Sequence, residues 1–131
     1  MINDLFEIGS QKTFSKIVEK ADCASFDSGH VHPVYATFAL GRDAEWACRL
    51  FVLEMKENHE EGIGTFLNIN HKSPALVGSK VDFIATVKSI LKNEIICTYT
   101  AKVGDRIIAE GEQGQKIIAK EKLEKLFEGL K

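Results

Sequence analysis

The sequence predicts an α+β domain in which one long helix is held by about five antiparallel strands. Three observations carry this. The run from Phe38 to Met55 is apolar around most of a helix circumference, which implies burial against a sheet rather than a place on a surface. From Gly62 onward the apolar period becomes two, in four runs separated by short turns. Between Ala119 and Leu130, the positions of Leu123, Leu126, Phe127 and Leu130 return to helical spacing and predict an amphipathic terminal helix that packs on something.

Before the long helix, residues 11–22 have β-compatible content and read as a short first strand. Ala24 to His32, with Asp27-Ser28-Gly29, reads as a loop with turn chemistry. Pro33 can open a helical turn, and Gly41 weakens a helix by about 1 kcal/mol relative to alanine. Residues 33–40 are therefore expected to form a separate turn leading into the main helix, which should end near Asn58 to Gly62. In the next strand Ile63, Thr65, Leu67, Ile69 and His71 share one parity, which points His71 to the core side. The later runs are Val81, Phe83, Ala85, Val87; then Ile95, Cys97, Tyr99, Ala101, Val103; then Ile107, Ala109, Gly111, Gln113, Gln115, Ile117. Turn signals at Lys92-Asn93 and Gly104-Asp105 make connections short enough for an antiparallel meander.

With 131 residues, residues 1–131 read as a single domain. The balance of 17 basic and 19 acidic residues supplies no electrostatic reason to bind nucleic acid. Cys23, Cys48 and Cys97 are odd in number and widely spaced, which fits neither a disulfide framework nor a metal site and predicts three free thiols in a reducing compartment. Arg42, Asp43, Glu45, Arg49 and Glu54 interrupt the longest apolar run, so no window reaches the roughly 20 apolar residues of a membrane span. Met1 to Ile8 lacks the basic start and long apolar stretch of a signal peptide. A soluble cytoplasmic protein is expected.

Glu45 is the anomaly of the apolar helix. An ionised carboxylate in apolar surroundings costs several kcal/mol unless it is partnered, and His71 is the candidate partner, with Thr37 beside it. Simpler readings stand next to this one. Glu45 could pair with Arg42 or Arg49 along the helix, His71 could be a satisfied strand-end histidine, and Thr37 alone reads as a helix N-cap. Gly64 could avoid a clash or mark a bulge. His30 and His32 read as a solvated loop pair and His59 as part of a solvated helix exit. Trp46, Phe51 and Met55 read as core, and Cys48 as a small buried hydrophobe.

Taken with their spacing, several stretches resemble the hot-dog-fold thioesterases, in particular the branch that includes fluoroacetyl-CoA thioesterase. They are Val34-Tyr35-Ala36-Thr37, Glu45-Trp46-Ala47-Cys48 eight positions after Thr37, Gly62-Ile63-Gly64-Thr65, and Asn68-Ile69-Asn70-His71 with Pro74 and Gly78 beyond. Ser28-Gly29 and Lys120-Glu121-Lys122-Leu123 are also similar. The resemblance implies a curled antiparallel sheet around a central helix, a homodimer formed by pairing sheets edge to edge and able to pair into a tetramer, and two active sites shared across the interface. It implies hydrolysis of a short or medium acyl-CoA thioester with Thr37, Glu45 and His71 as catalytic residues. The backbone N–H of Gly64 would serve as oxyanion donor, and Gln113 and Gln115 would lie at the substrate. No cofactor or metal is implied, coenzyme A being part of the substrate.

Those residue types suit the reaction. A thioester needs a positioned carboxylate to activate water or attack directly, donors for the oxyanion, and a group that changes charge near neutrality, as imidazole does. Where this branch often carries a histidine and an arginine on the last strand, this chain has Gln113 and Gln115. A substrate other than fluoroacetyl-CoA is therefore expected. Two further activities fit the same fold: non-hydrolytic acyl-CoA binding, and hydration or dehydration of an enoyl thioester.

Overall fold

The alternating runs of the second half become three long strands joined by tight turns: β6 (Lys80–Leu91), β7 (Glu94–Val103) and β8 (Arg106–Ala119). The computed structural model describes residues 5–26 and 29–131, the side chains of 24–31 apart. Part of the N-terminal segment read for targeting, and Asp27-Ser28, lie outside the described residues. Before the long strands come β1 (Gln11–Ile17), a 3₁₀ turn (Lys20–Asp22), β2 (Cys23–Phe26), β3 (Gly29–Tyr35), α1 (Thr37–Met55), β4 (Glu60–Leu67) and β5 (Asn70–His71). Helix α2 (Lys120–Gly129) closes the chain. The main sheet is antiparallel in the order β1-β6-β7-β8-β4, with β5 beside β8, and β2 and β3 form a separate hairpin.

The sheet wraps α1. Leu40, Ala44, Ala47, Phe51, Val52 and Met55 on the helix, and Val81, Phe83, Ala85, Ile95, Tyr99 and Ala101 on β6 and β7, are all at most 1% exposed. Each large apolar side chain buried this way contributes about 1.5–3 kcal/mol. Phe51 and Met55 are core as expected, and Cys48 is buried with all three cysteines free. Trp46 is not core: with Phe38 and Leu53 it forms an exposed apolar stripe along the outer face of α1.

Long-range hydrogen bonds redraw the approach to the helix. The expected loop at 24–32 is a hairpin, and Pro33 belongs to a strand. The Tyr35 N–H donates to the Ala75 carbonyl, Ala36 to Asp22, and Val77 to Pro33, so the backbone stays extended until Thr37. Gly41 does not break the helix. A Cβ there would lie 2.7 Å from Ile69 Cδ1 and 3.2 Å from Leu67 Cδ2, so glycine permits the close approach of the 67–69 segment. The helix ends at Met55, before the expected Asn58, because the buried Glu60 carboxylate accepts the Glu57 N–H at 2.9 Å and holds a competing turn.

The strand expected to run unbroken from Gly62 to His71 is split at Asn68-Ile69, with a bulge between Gly64 and Phe66. Its parity does not produce a buried face, since β4 is an edge strand and Thr65 and Leu67 are exposed. A second irregularity between Ala101 and Lys102 shifts β8 by one residue, so Ile108 is buried and Ile107 exposed, the reverse of the expected parity. The hairpin turns hold, with Lys92 and Gly104 at φ of 58° and 59°. Helix α2 buries none of its residues; Leu126 and Phe127 face solvent rather than pack as expected.

Candidate active site

The start of α1 meets the short strand β5. Thr37 is the first helical residue, with Ala36 as the cap and no side-chain capping bond. The Thr37 hydroxyl is therefore left for another partner, and its Oγ1 lies 2.9 Å from His71 Nδ1. The other ring nitrogen, Nε2, is enclosed and has no hydrogen-bond partner among the described residues. Thr37 and His71, with Val34, Tyr35, Lys72, Ser73 and Pro74, line an open groove of about 280 Å³. Arg106 ties the groove's rim by donating to the Pro74 carbonyl at 2.6 Å and to the Ser73 hydroxyl. His32, which the sequence assigned to a solvated loop, is exposed, and His59 is exposed beside Glu57.

Glu45 lies farther along α1, half-buried beneath the sheet. Its Oε1 accepts from Gln113 Nε2 at 3.5 Å, and Gln115 Nε2 donates to Gln113 Oε1 at 3.0 Å. Gly64 stands against the same carboxylate oxygen: a Cβ on it would come within 2.6 Å of Glu45 Oε1. The glycine thus both makes room for the carboxylate and borders the β4 bulge. Arg42 and Arg49 are engaged elsewhere, Arg42 with Asp22 and Asp43 and Arg49 with the Gly62 carbonyl and Glu61. Neither pairs with Glu45, which removes the simple ion-pair reading.

Glu45 also does not pair with His71 within one chain. Eight residues separate Thr37 from Glu45, which at 1.5 Å per residue is about 12 Å along the helix axis. Among the described residues no hydrogen bond or ion pair joins Glu45 to Thr37 or His71. The chain therefore brings two of the three candidates together and presents the third, with Gly64 and Gln113, as a separate cluster.

The deeply buried carboxylate of α1 is Asp43 rather than Glu45. Asp43 is 6% exposed and accepts from the Tyr35 hydroxyl and, at 3.1 Å, from Arg42, which also bonds Asp22 at 2.9 Å. Burial first, then the Asp43 carboxylate, pushes the Tyr35 phenol well above its ordinary range. Burial alone would raise the Asp22 carboxyl, but the Glu19 N–H, Arg42 and Lys16 outweigh it and hold it below its ordinary value. This network clamps the end of β3, the 3₁₀ turn and the first turns of α1, the backbone that carries Thr37. Sequence reasoning passed over it. The available signal was Asp43 on the apolar helix beside Arg42, eight positions after Tyr35.

Beneath Glu45, Cys48 on α1 faces Cys97 on β7. That contact and burial push the Cys48 thiol far above its usual range, so it is an inert hydrophobe. Burial also lifts the Tyr99 phenol to about 12. Its hydroxyl donates to the Asn68 carbonyl at 2.7 Å, pinning the break that precedes β5 and His71. Among the described residues, no group of His, Cys, Asp and Glu is arranged to hold a metal ion.

Residues 18–121 match the family of fluoroacetyl-CoA-specific thioesterases. The chain belongs to that family of acyl-CoA thioester hydrolases. A Thermus thermophilus protein of the thioesterase superfamily is 31% identical, with 98% of this chain and 95% of that one covered and a TM-score of 0.92. The fluoroacetyl-CoA-specific thioesterase FlK is 21% identical over 96% of this chain and 98% of its own, with a TM-score of 0.87. A hot-dog-like protein from Thermanaerovibrio acidaminovorans is 20% identical over 95% and 93%, with a TM-score of 0.86. No curated protein sequence matches the chain. The fold of this family member is thus the hot-dog fold expected from the sequence, and among the described residues no helix is long and apolar enough to cross a membrane.

Proposed function

We propose that this protein hydrolyses a short or medium acyl-CoA thioester at a site completed by a second copy of the chain. The Thr37–His71 pair comes from one subunit and the Glu45 cluster from its partner. The observation that carries the reading is the separation itself. Thr37 and His71 are hydrogen-bonded at a groove with His71 Nε2 unpartnered, while the Glu45 carboxylate lies two helical turns away beside Gly64 on the sheet-edge strand β4. Exposed Phe66 and Leu67 on that edge, and Phe38, Trp46 and Leu53 on α1, favour the pairing of two copies there.

In this reading the thioester carbonyl sits between the two clusters. Glu45 Oε2, which makes no hydrogen bond among the described residues, activates water or attacks the carbonyl carbon. The Gly64 N–H stabilises the oxyanion, and the coenzyme A thiolate leaves. His71, oriented through Nδ1 by Thr37, moves the proton at Nε2. Coenzyme A is part of the substrate, and the groups above supply the chemistry without a cofactor. The surroundings of Glu45 contain amides where a cation could stand, which supports a substrate other than fluoroacetyl-CoA. Buried free thiols suit a cytoplasmic location.

The test is thiol release across a panel of acyl-CoA chain lengths, with T37A and E45Q each expected to lose at least ~100-fold in kcat. The two inactive variants are then mixed and allowed to exchange subunits. A shared site predicts recovered activity, because the mixed dimer contains one site with both Thr37 and Glu45 intact. No recovery despite exchange refutes the shared site, and full activity in E45Q refutes the catalytic carboxylate. Tight acyl-CoA retention without thiol release would favour non-hydrolytic binding instead.

A further inference from the structure

Two neutral amides occupy the otherwise apolar inner face of β8. Gln113 and Gln115 are each 1% exposed, two residues apart, and flanked on β7 by Cys97 and Ile95. Buried amides are destabilising unless bonded, and Gln115 Oε1 has no partner among the described residues. The arrangement retains an unsatisfied acceptor, which points to a use beyond packing. Its hydrogen bonds run in one direction. Gln115 Nε2 donates to Gln113 Oε1 at 3.0 Å, so the face that Gln113 turns to Glu45 is its Nε2, 3.5 Å from the carboxylate.

We infer that Gln113 is a positioning residue for the Glu45 carboxylate and that Gln115 fixes which way the Gln113 amide faces. The inference rests on the catalytic reading of Glu45 and deepens it. With Gln115 present, flipping Gln113 would set two amide NH2 groups against each other and turn the Gln113 carbonyl oxygen against the Glu45 carboxylate. One amide orientation therefore prevails. Gln113 and Gly64 both bear on Glu45 Oε1, which leaves Oε2 for the reacting group. A cation at residue 113 would pair with the carboxylate and oppose its use as base or nucleophile. A neutral donor holds it in place and leaves its charge available. Neither glutamine needs to touch substrate for this role.

The near-isosteric variants Q113M and Q115M test the assignment in the full-length protein. Q113M is expected to lower kcat about 10-fold to 100-fold with KM within twofold, and Q115M to lower it less, since Gln113 then samples both orientations. In an E45Q background Q113M is expected to cause no further loss, whereas a merely structural role would add the same factor again. A raised KM at unchanged kcat would instead make Gln113 a substrate contact and overturn the proposal. A second readout needs no turnover and no folded Q113M. The Gln113 side-chain amide resonances, assigned through residue-selective labelling, should move in E45Q and in Q115M. Unmoved resonances in E45Q overturn the proposal. Moved resonances in a protein that releases no thiol uphold the hydrogen-bond relay and sink the hydrolase reading alone.

Discussion

Replacing Gly64 with alanine separates the space this residue gives Glu45 from the N–H that the proposed mechanism assigns to the oxyanion. The added Cβ would lie 2.6 Å from Glu45 Oε1, about 0.8 Å short of the 3.4 Å at which ordinary contact begins, while Gln113 Nε2 at 3.8 Å is undisturbed. The atom that must yield is the far end of a half-buried, flexible side chain rather than backbone. Stability should therefore fall by no more than about 1 kcal/mol, less than a typical overpacked core. Catalysis is far less tolerant, because a displacement near 1 Å in a reacting group lowers rates by about 100-fold. G64A is thus expected to melt within a few degrees of the parent and to lose about 10-fold to 100-fold in kcat in a thiol-release assay. The alanine keeps the backbone N–H, so the loss would belong to the carboxylate. A G64A protein with kcat within twofold of the parent would refute the placement of Glu45 as the reacting group.

T37V keeps the shape and removes the hydroxyl that meets His71 Nδ1. Because Thr37 is exposed, a thermal melt should shift by less than about 2 °C while kcat drops at least ~100-fold, as for T37A. D22N breaks the clamp among Asp22, Arg42 and Asp43. With Asp22 buried but Arg42 half-exposed, the expected loss is about 2 kcal/mol, between an exposed ion pair and a fully buried one, measurable by urea denaturation. The same carboxylate shapes the acid limb of stability. Its folded value is depressed below the ordinary 3.8, so its contribution is present above that value and lost as pH falls through the folded one. Between pH 4 and the onset of acid unfolding, D22N should accordingly show a flatter fall in stability than the parent. An unchanged slope would show that Asp22 does not carry that linkage.

Most of the fold was legible because period and turn chemistry are local. The alternation of Val81, Phe83, Ala85 and Val87, and the turns at Lys92 and Gly104, required only strand geometry and backbone freedom. Thr37, Glu45 and His71 were legible as a spacing. What local reasoning missed has one physical cause, the contacts between residues distant in the chain. The 33–36 segment is extended because Ala75 and Asp22 hold its backbone, and Gly41 sits inside a helix because Ile69 presses on it. Bulges at Gly64 and Ala101 reset a parity that unbroken counting had carried forward.

By itself the sequence determined the α+β architecture, the thioesterase resemblance and the candidate residues of the site, since apolar period and motif spacing are properties of the linear chain. Only the tertiary structure decided their grouping. Thr37 bonds His71 because β5 is pinned beside the start of α1, whereas Glu45, about 12 Å farther along the same helix, meets Gly64 and Gln113 instead. The deeply buried carboxylate of the helix proved to be Asp43, chosen by the Tyr35 hydroxyl and Arg42 that reach it from neighbouring elements. Spacing along a chain lists candidates, but which of them touch depends on how the strands carry them across space.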